Sequence, residues 1–178
     1  MYLFLTPLTL PLSKIDQMKK LLLALIFTTT LIPANAQVNP HAIGIRFKGD
    51  NHAQGAEISY QMGLGEKNRL EFDFGGRRHR NWSHFNIACI YHWVNNITDG
   101  LNWYIGPGAS IGSYRSKYWN NDGLTLAIGG QIGLEYDFNE NGVPLLLSLD
   151  WRPMWGFFSY DEYDPFGYEG GLSLRYTF

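Results

Sequence analysis

The stretch Gly170-Gly171-Leu172-Ser173-Leu174-Arg175-Tyr176-Thr177-Phe178 decides the fold. Leu172, Leu174, Tyr176 and Phe178 fall on one face, and Gly171, Ser173, Arg175 and Thr177 on the other. A period of two is a β-strand, because successive side chains point to opposite sides of an extended backbone. The apolar face closes on two aromatics, the last being Phe178 itself. A strand whose outer face meets lipid accounts for that ending. A strand with the same face in water does not.

Seven further segments upstream repeat the pattern. Ile43, Ile45 and Phe47 oppose Gly44, Arg46 and Lys48; Ala56, Ile58, Tyr60 and Met62 oppose Glu57, Ser59 and Gln61. Leu70, Phe72 and Phe74 oppose Arg69, Glu71 and Asp73; Phe85, Ile87, Cys89, Tyr91 and Trp93 oppose His84, Asn86, Ala88 and His92. Leu101, Trp103, Ile105, Ala109 and Ile111 oppose Asn102, Tyr104, Gly106, Gly108 and Ser110. Ile128, Ile132, Leu134 and Tyr136 oppose Gly129, Gln131, Gly133, Glu135 and Asp137. Leu145, Leu147, Leu149 and Trp151 oppose Ser148, Asp150 and Arg152. Pro107 interrupts the fifth segment, and a proline cannot donate to a ladder, so a bulge or a broken pair is expected there.

The placement of charge decides which solvent each face meets. In all eight segments the charged residues, of both signs, fall on the polar face and none on the apolar one. A water-soluble barrel would be apolar inside and mixed polar outside. The apolar face is therefore read as lipid-facing and the polar face as the lumen. Edges left open in hydrocarbon would strand backbone N–H and C=O groups, so the sheet must close. The expected fold is an all-β, eight-stranded, antiparallel up-and-down transmembrane β-barrel.

Connections suggest an orientation. Residues 63–67, 95–100 and 139–143 are short and rich in Gly, Asn and Asp, as hairpin turns are. Residues 48–55, 76–83, 114–123 and 157–170 are longer and read as external loops, with both termini at the turn end. Tyr60, Tyr91, Trp93, Trp103, Tyr136, Tyr176 and Phe178 make an aromatic girdle at the turn end, and Phe47, Phe74, Trp82, Phe85, Trp151 and Trp155 one at the loop end.

The amino-terminal region has its own pattern. Met18-Lys19-Lys20 opens a basic segment, residues 21–31 are an apolar run, and Ala34-Asn35-Ala36 is a small-x-small site. Together they read as a secretory signal peptide over residues 18–36, cleaved near Ala36-Gln37, too short to span a membrane as a helix. Residues 1–17 read as an upstream extension, which leaves 37–178 as one barrel domain. Loss of residues 1–36 removes Lys14, Lys19, Lys20 and Asp16, leaving 11 basic and 15 acidic residues, a charge of about −4. That balance offers no footing for nucleic acid. The single cysteine, Cys89, rules out an intrachain disulfide framework.

A leader of this type, eight alternating segments and a terminal strand ending in Tyr176 and Phe178 resemble the small outer-membrane β-barrels of the OmpA-transmembrane-domain and OmpX type. The resemblance spans residues 37–178 and is architectural. It implies a bacterial outer-membrane location among lipids and lipopolysaccharide. It also implies that the terminal aromatic strand is read by the barrel-assembly machinery.

Function is less legible. Inward residues Arg46, Glu57, Arg69, Glu71, Asp73, Glu135, Asp150, Arg152 and Arg175 are expected to form a paired polar network that fills the lumen, with a narrow, porin-like channel as the alternative. Inward glycines at 106, 108, 129 and 133 would leave a void or make room for Tyr104. Two small-barrel families modify lipid A, which requires a Ser, His and acid near the outer rim. Ser83-His84 is the candidate here, with Asp73 or Glu71 as partner. Adjacent residues face opposite ways and the spacing does not match, so no enzyme is expected. No metal-spaced cluster and no phosphate-binding glycine loop implies a cofactor. Loop residues Arg77, Arg78, His79 and Arg80, and Tyr160, Tyr163, Phe166 and Tyr168 among Asp161, Glu162 and Asp164, are candidates for contact with lipopolysaccharide or an external ligand. The role expected is structural, adhesive or surface-interacting.

Overall fold

A computed structural model of the chain describes residues 38–50, 54–78, 82–116, 122–157 and 166–178. The leader, residues 79–81 of the basic loop and most of the acidic aromatic loop lie outside the described residues, as do the side chains of Arg78, Trp82 and Phe166. Eight strands follow in order: β1 His41–Gly49, β2 Gln54–Gly63, β3 Asn68–Arg78, β4 Trp82–Thr98, β5 Leu101–Ser116, β6 Asp122–Asp137, β7 Leu145–Gly156 and β8 Phe166–Thr177. Each pairs antiparallel with its sequence neighbours, and β8 closes onto β1. No sheet edge is left between them.

The register fixes the stagger. One circuit of ladder partners runs Tyr176, Ile43, Tyr60, Phe72, Cys89, Ala109, Ile128, Trp155 and returns to β8 at Phe166, ten residues from its start. Strands must therefore tilt, as closure of a sheet into a barrel demands. Every member of that circuit whose side chain is described takes an outward place in its strand's alternation.

The barrel is inverted relative to a soluble one. Ile58, Leu149 and Phe178 are 57%, 62% and 59% exposed, whereas Arg46 and Arg175 are fully buried. Among the described strand side chains the first outward charge is Arg115, near the loop end of β5. The alternation ends the fifth segment at Ile111; the strand runs on to Ser116 and carries Arg115 beyond the apolar band.

Two expectations need correction. The strands run farther than the alternation suggested, so residues 95–100 are not a turn. β4 and β5 meet across Asp99-Gly100 alone, with Gly100 at φ 72°, a left-handed value that glycine adopts without strain. The connections also differ less in length than expected, since only 79–81 separate β3 from β4 and 50–53 separate β1 from β2. Hydrogen-bonded ladders absorbed residues that read as loop, because polar side chains at the rims are as compatible with extended backbone as apolar ones.

Pro107 breaks a pair and makes no bulge. Ladder partners between β4 and β5 stop at Ile90–Gly108 and resume at Trp93–Ile105 in the same register, and the shift comes at Asn96/Thr98. Pro153 sits in a matching gap between β6 and β7.

Candidate functional site

The interior is the only place where the described residues concentrate polar chemistry. Five buried basic side chains, Arg46, Lys48, Arg69, Arg152 and Arg175, face six buried acidic ones, Glu57, Glu71, Asp73, Glu135, Asp150 and Glu169. Alternation puts each on the inner face, and pairing across the lumen lets them stay buried.

Arg46 of β1 is the hub of the loop half. Its guanidinium reaches Glu57 at 3.0 Å, Glu169 at 2.9 Å and Asp150 at 2.5 Å. A Cβ at Gly171 would stand 2.5 Å from that guanidinium, so the missing side chain is what lets Arg46 lie flat against β8. Lys48 pairs with Glu57 and donates to Asn86 at 2.8 Å. Arg77 joins the rim, bonding Asp50 at 2.6 Å and Glu169 at 3.2 Å.

Arg152 of β7 crosses the middle of the lumen. It pairs with Asp73, reaches Glu71 at 3.2 Å, and donates through Nη2 to Gln131 Oε1 at 2.9 Å. Arg175 donates to Glu71 at 2.9 Å, to Ser59 at 2.9 Å and to Ser148 at 2.7 Å. Gln61 adds a bond to Glu71 at 2.6 Å.

The turn half is separate. Arg69 meets Glu135 through two bonds of 3.0 and 2.6 Å, donates to His92 Nδ1 at 3.3 Å and lies 4.7 Å over the Tyr104 ring. His92 and Tyr104 rings are 4.5 Å apart. A Cβ at Gly133 would be 2.5 Å from the Tyr104 ring, so this inward glycine makes room for an aromatic.

All nine network residues read from the sequence thus lie inside. Sequence reasoning missed Glu169 and assigned it to a loop. Its signal was available: Glu169, Gly171, Ser173 and Arg175 continue one alternating face. Gln61 and Gln131 were placed inward, but nothing local marks them as partners of Glu71, which is 60 residues from Gln131. The inward apolar residues Ile90, Val94 and Leu146 were also missed, since an apolar side chain carries no label for its face.

The girdle is less regular than expected. Trp93, Trp103, Trp155, Tyr176 and Phe178 are outward and exposed, and Tyr136 is half-buried. Trp151 is exposed too, but it lies near the midpoint of β7, paired with Ile132 and Gly170, and not at the loop end.

The catalytic candidate does not assemble. Ser83 points outward, and His84, across from Arg77 on β3, bonds Thr125 Oγ1 through Nε2 at 3.0 Å. Neither Asp73 nor Glu71 stands opposite it, because the register sets those carboxylates beside Ala88 and Ile90. No group of three or more His, Cys, Asp or Glu suited to a metal occurs among the described residues.

Known structures place this geometry. Neisserial surface protein A is similar with a TM-score of 0.57 at 14% identity, over 78% of this chain and 95% of that one. The amino-terminal β-barrel domain of Pseudomonas aeruginosa OprF is similar with a TM-score of 0.56 at 18% identity, over 79% and 100%. Its fold is that of the small eight-stranded outer-membrane barrels. Ail, the attachment invasion locus protein of Yersinia pestis, is similar with a TM-score of 0.50 at 13% identity, over 78% and 96%. No protein-family model and no curated protein sequence matches the chain. Across these outer-membrane barrels the likeness is one of strand number, pairing and closure.

Proposed function

We propose that this chain is an integral outer-membrane β-barrel whose interior is a structural core and whose role lies at the surface, in adhesion or another surface interaction. The observation that carries the membrane part is the outer face. Exposed Ile43, Ile45, Ile58, Phe72, Ile87, Ile132, Leu149, Leu172 and Leu174 form a band around the barrel, with exposed charge such as Arg115 and Lys67 at its two ends. In water such a band would be an extreme exposed patch; in hydrocarbon it is the required solvent contact. Its neighbours in the bilayer are outer-membrane lipids, with lipopolysaccharide on the loop side, and the leader at 18–36 delivers it there.

The interior favours a filled core over a channel. Arg46 and Arg152 each reach several carboxylates across the lumen and Arg175 reaches Glu71, and a conducting path would have to break those pairs. A surface role is consistent with Ail, whose name describes attachment and invasion.

The membrane reading is tested by fractionation and gel mobility. Unboiled protein in mild detergent should migrate differently from boiled protein, because a closed ladder resists detergent. Equal mobility with recovery in a detergent-free soluble fraction refutes it. Planar-bilayer recording tests the closed interior, and a steady conductance refutes that part. The assembly machinery is the proposed partner of the terminal strand. Deleting Phe178, or Phe178→Asp, should lower the yield of heat-modifiable protein far more than replacing the loop aromatic Tyr163.

A further inference from the structure

The segment before β1 does not leave the barrel; it turns in under it. Val38 packs against Val94 and Tyr104, the apolar pair that floors the lumen at the turn end. Its amide donates to the Glu66 carbonyl at 3.0 Å, in the β2–β3 turn. Asn39 Nδ2 donates to Asp137 Oδ2 at 2.6 Å, and Asn139 Nδ2 donates to Asn39 Oδ1 at 2.9 Å, both at the β6–β7 turn. In a ring of eight strands those two turns are on opposite sides. The backbone is shaped to receive the segment: the Pro40 carbonyl accepts from Gly63 N–H at 2.9 Å, and a Cβ at Gly63 would come within 3.0 Å of the Asn39 carbonyl oxygen.

We propose that residues 38–40 are a plug seated across the turn-end mouth, and that this end of the lumen meets water only when the plug lifts. Anchors on opposite rims are what a plug needs and what a strand merely continuing upward would not make. Polar side chains lie buried above that floor, Arg69, His92 and Glu135 among them. His92 Nε2 and the Tyr104 hydroxyl are buried there with no protein partner among the described residues, so lifting the plug lets solvent reach two groups that gain bonds from it.

The test is thiol accessibility. In a Cys89→Ala background, the thiol introduced by Val94→Cys lies under Val38 and is probed in micelles with a membrane-impermeant methanethiosulfonate. Combining it with Val38→Gly and Asn39→Ala should raise the labelling rate at least about tenfold, the population change expected when one or two hydrogen bonds and a small apolar contact are lost. Asn139→Ala, which removes one of the two Asn39 side-chain bonds together with the bonds of Asn139 to Thr177, is the second variant and should raise the rate by a smaller factor. Unchanged rates in both, with the heat-modifiable mobility retained, overturn the plug. Because micelles need only a closed barrel, this result stands apart from the membrane and surface reading.

Discussion

The two halves of the barrel wall are built differently. β1–β3 with β7 and β8 supply every buried charged side chain except Glu135; β4–β6 supply Glu135, the uncharged Asn86, His92, Asn102, Tyr104 and Gln131, and the small Ala88, Ser110, Gly112, Thr125 and Ala127. The charged side is stitched across the lumen by side chains. The largely uncharged side has the longest backbone ladders, β4 to β6 having 17, 16 and 16 residues against 9 to 12 elsewhere. The difference teaches how so narrow a barrel fills itself. Long arginines reach inward from one side, and the opposite side must give them room.

The largest effect should come from the hub. Arg46→Met leaves Glu57, Asp150 and Glu169 without their common partner, so it should cost about 3–5 kcal/mol in denaturant unfolding from micelles. No single second substitution should rescue it. Arg69→Met should cost a similar amount, but Glu135→Leu added to it should recover most of the loss, because this pair is nearly self-contained. If one substitution rescues Arg46→Met, or Glu135→Leu fails to rescue Arg69→Met, the contrast between a shared network and an isolated pair is wrong.

Outward positions should not distinguish the halves. Leu149→Arg on β7 and Ile128→Arg on β6 should each cost about 2–4 kcal/mol, since both put a charge into hydrocarbon. Unequal costs, measured by the same unfolding, would show that the band does not surround the barrel evenly. Ser148→Arg, by contrast with its outward neighbour Leu147, is inward but not benign: Ser148 is 1% exposed and accepts from Arg175.

Smaller effects report on the uncharged wall. Gly133→Ala should cost about 1–3 kcal/mol by crowding Tyr104, an overpacking penalty. Thr125→Val, which removes the His84 partner, should cost only about 0.5–1.5 kcal/mol, the net worth of one hydrogen bond. Near-ultraviolet circular dichroism of the aromatic environment would separate them, with a change for Gly133→Ala alone.

Sequence by itself determined which face each strand turns outward, because the side-chain period of two is a property of extended backbone and needs no partner. Strand number, closure and the inward placement of Arg46, Arg152 and Arg175 followed from that pattern and from the cost of charge in hydrocarbon. Tertiary structure alone decided the stagger of ten residues around the ring, and through it every lumen pair. Arg152 meets Asp73 across 79 residues of chain, and Arg69 meets Glu135 across 66. It also decided that His84 faces Thr125 and that Val38 folds under the barrel. The reason is that alternation specifies a side chain's direction, while its neighbours depend on how far each strand slides past the next, and that is settled only when all eight ladders close together.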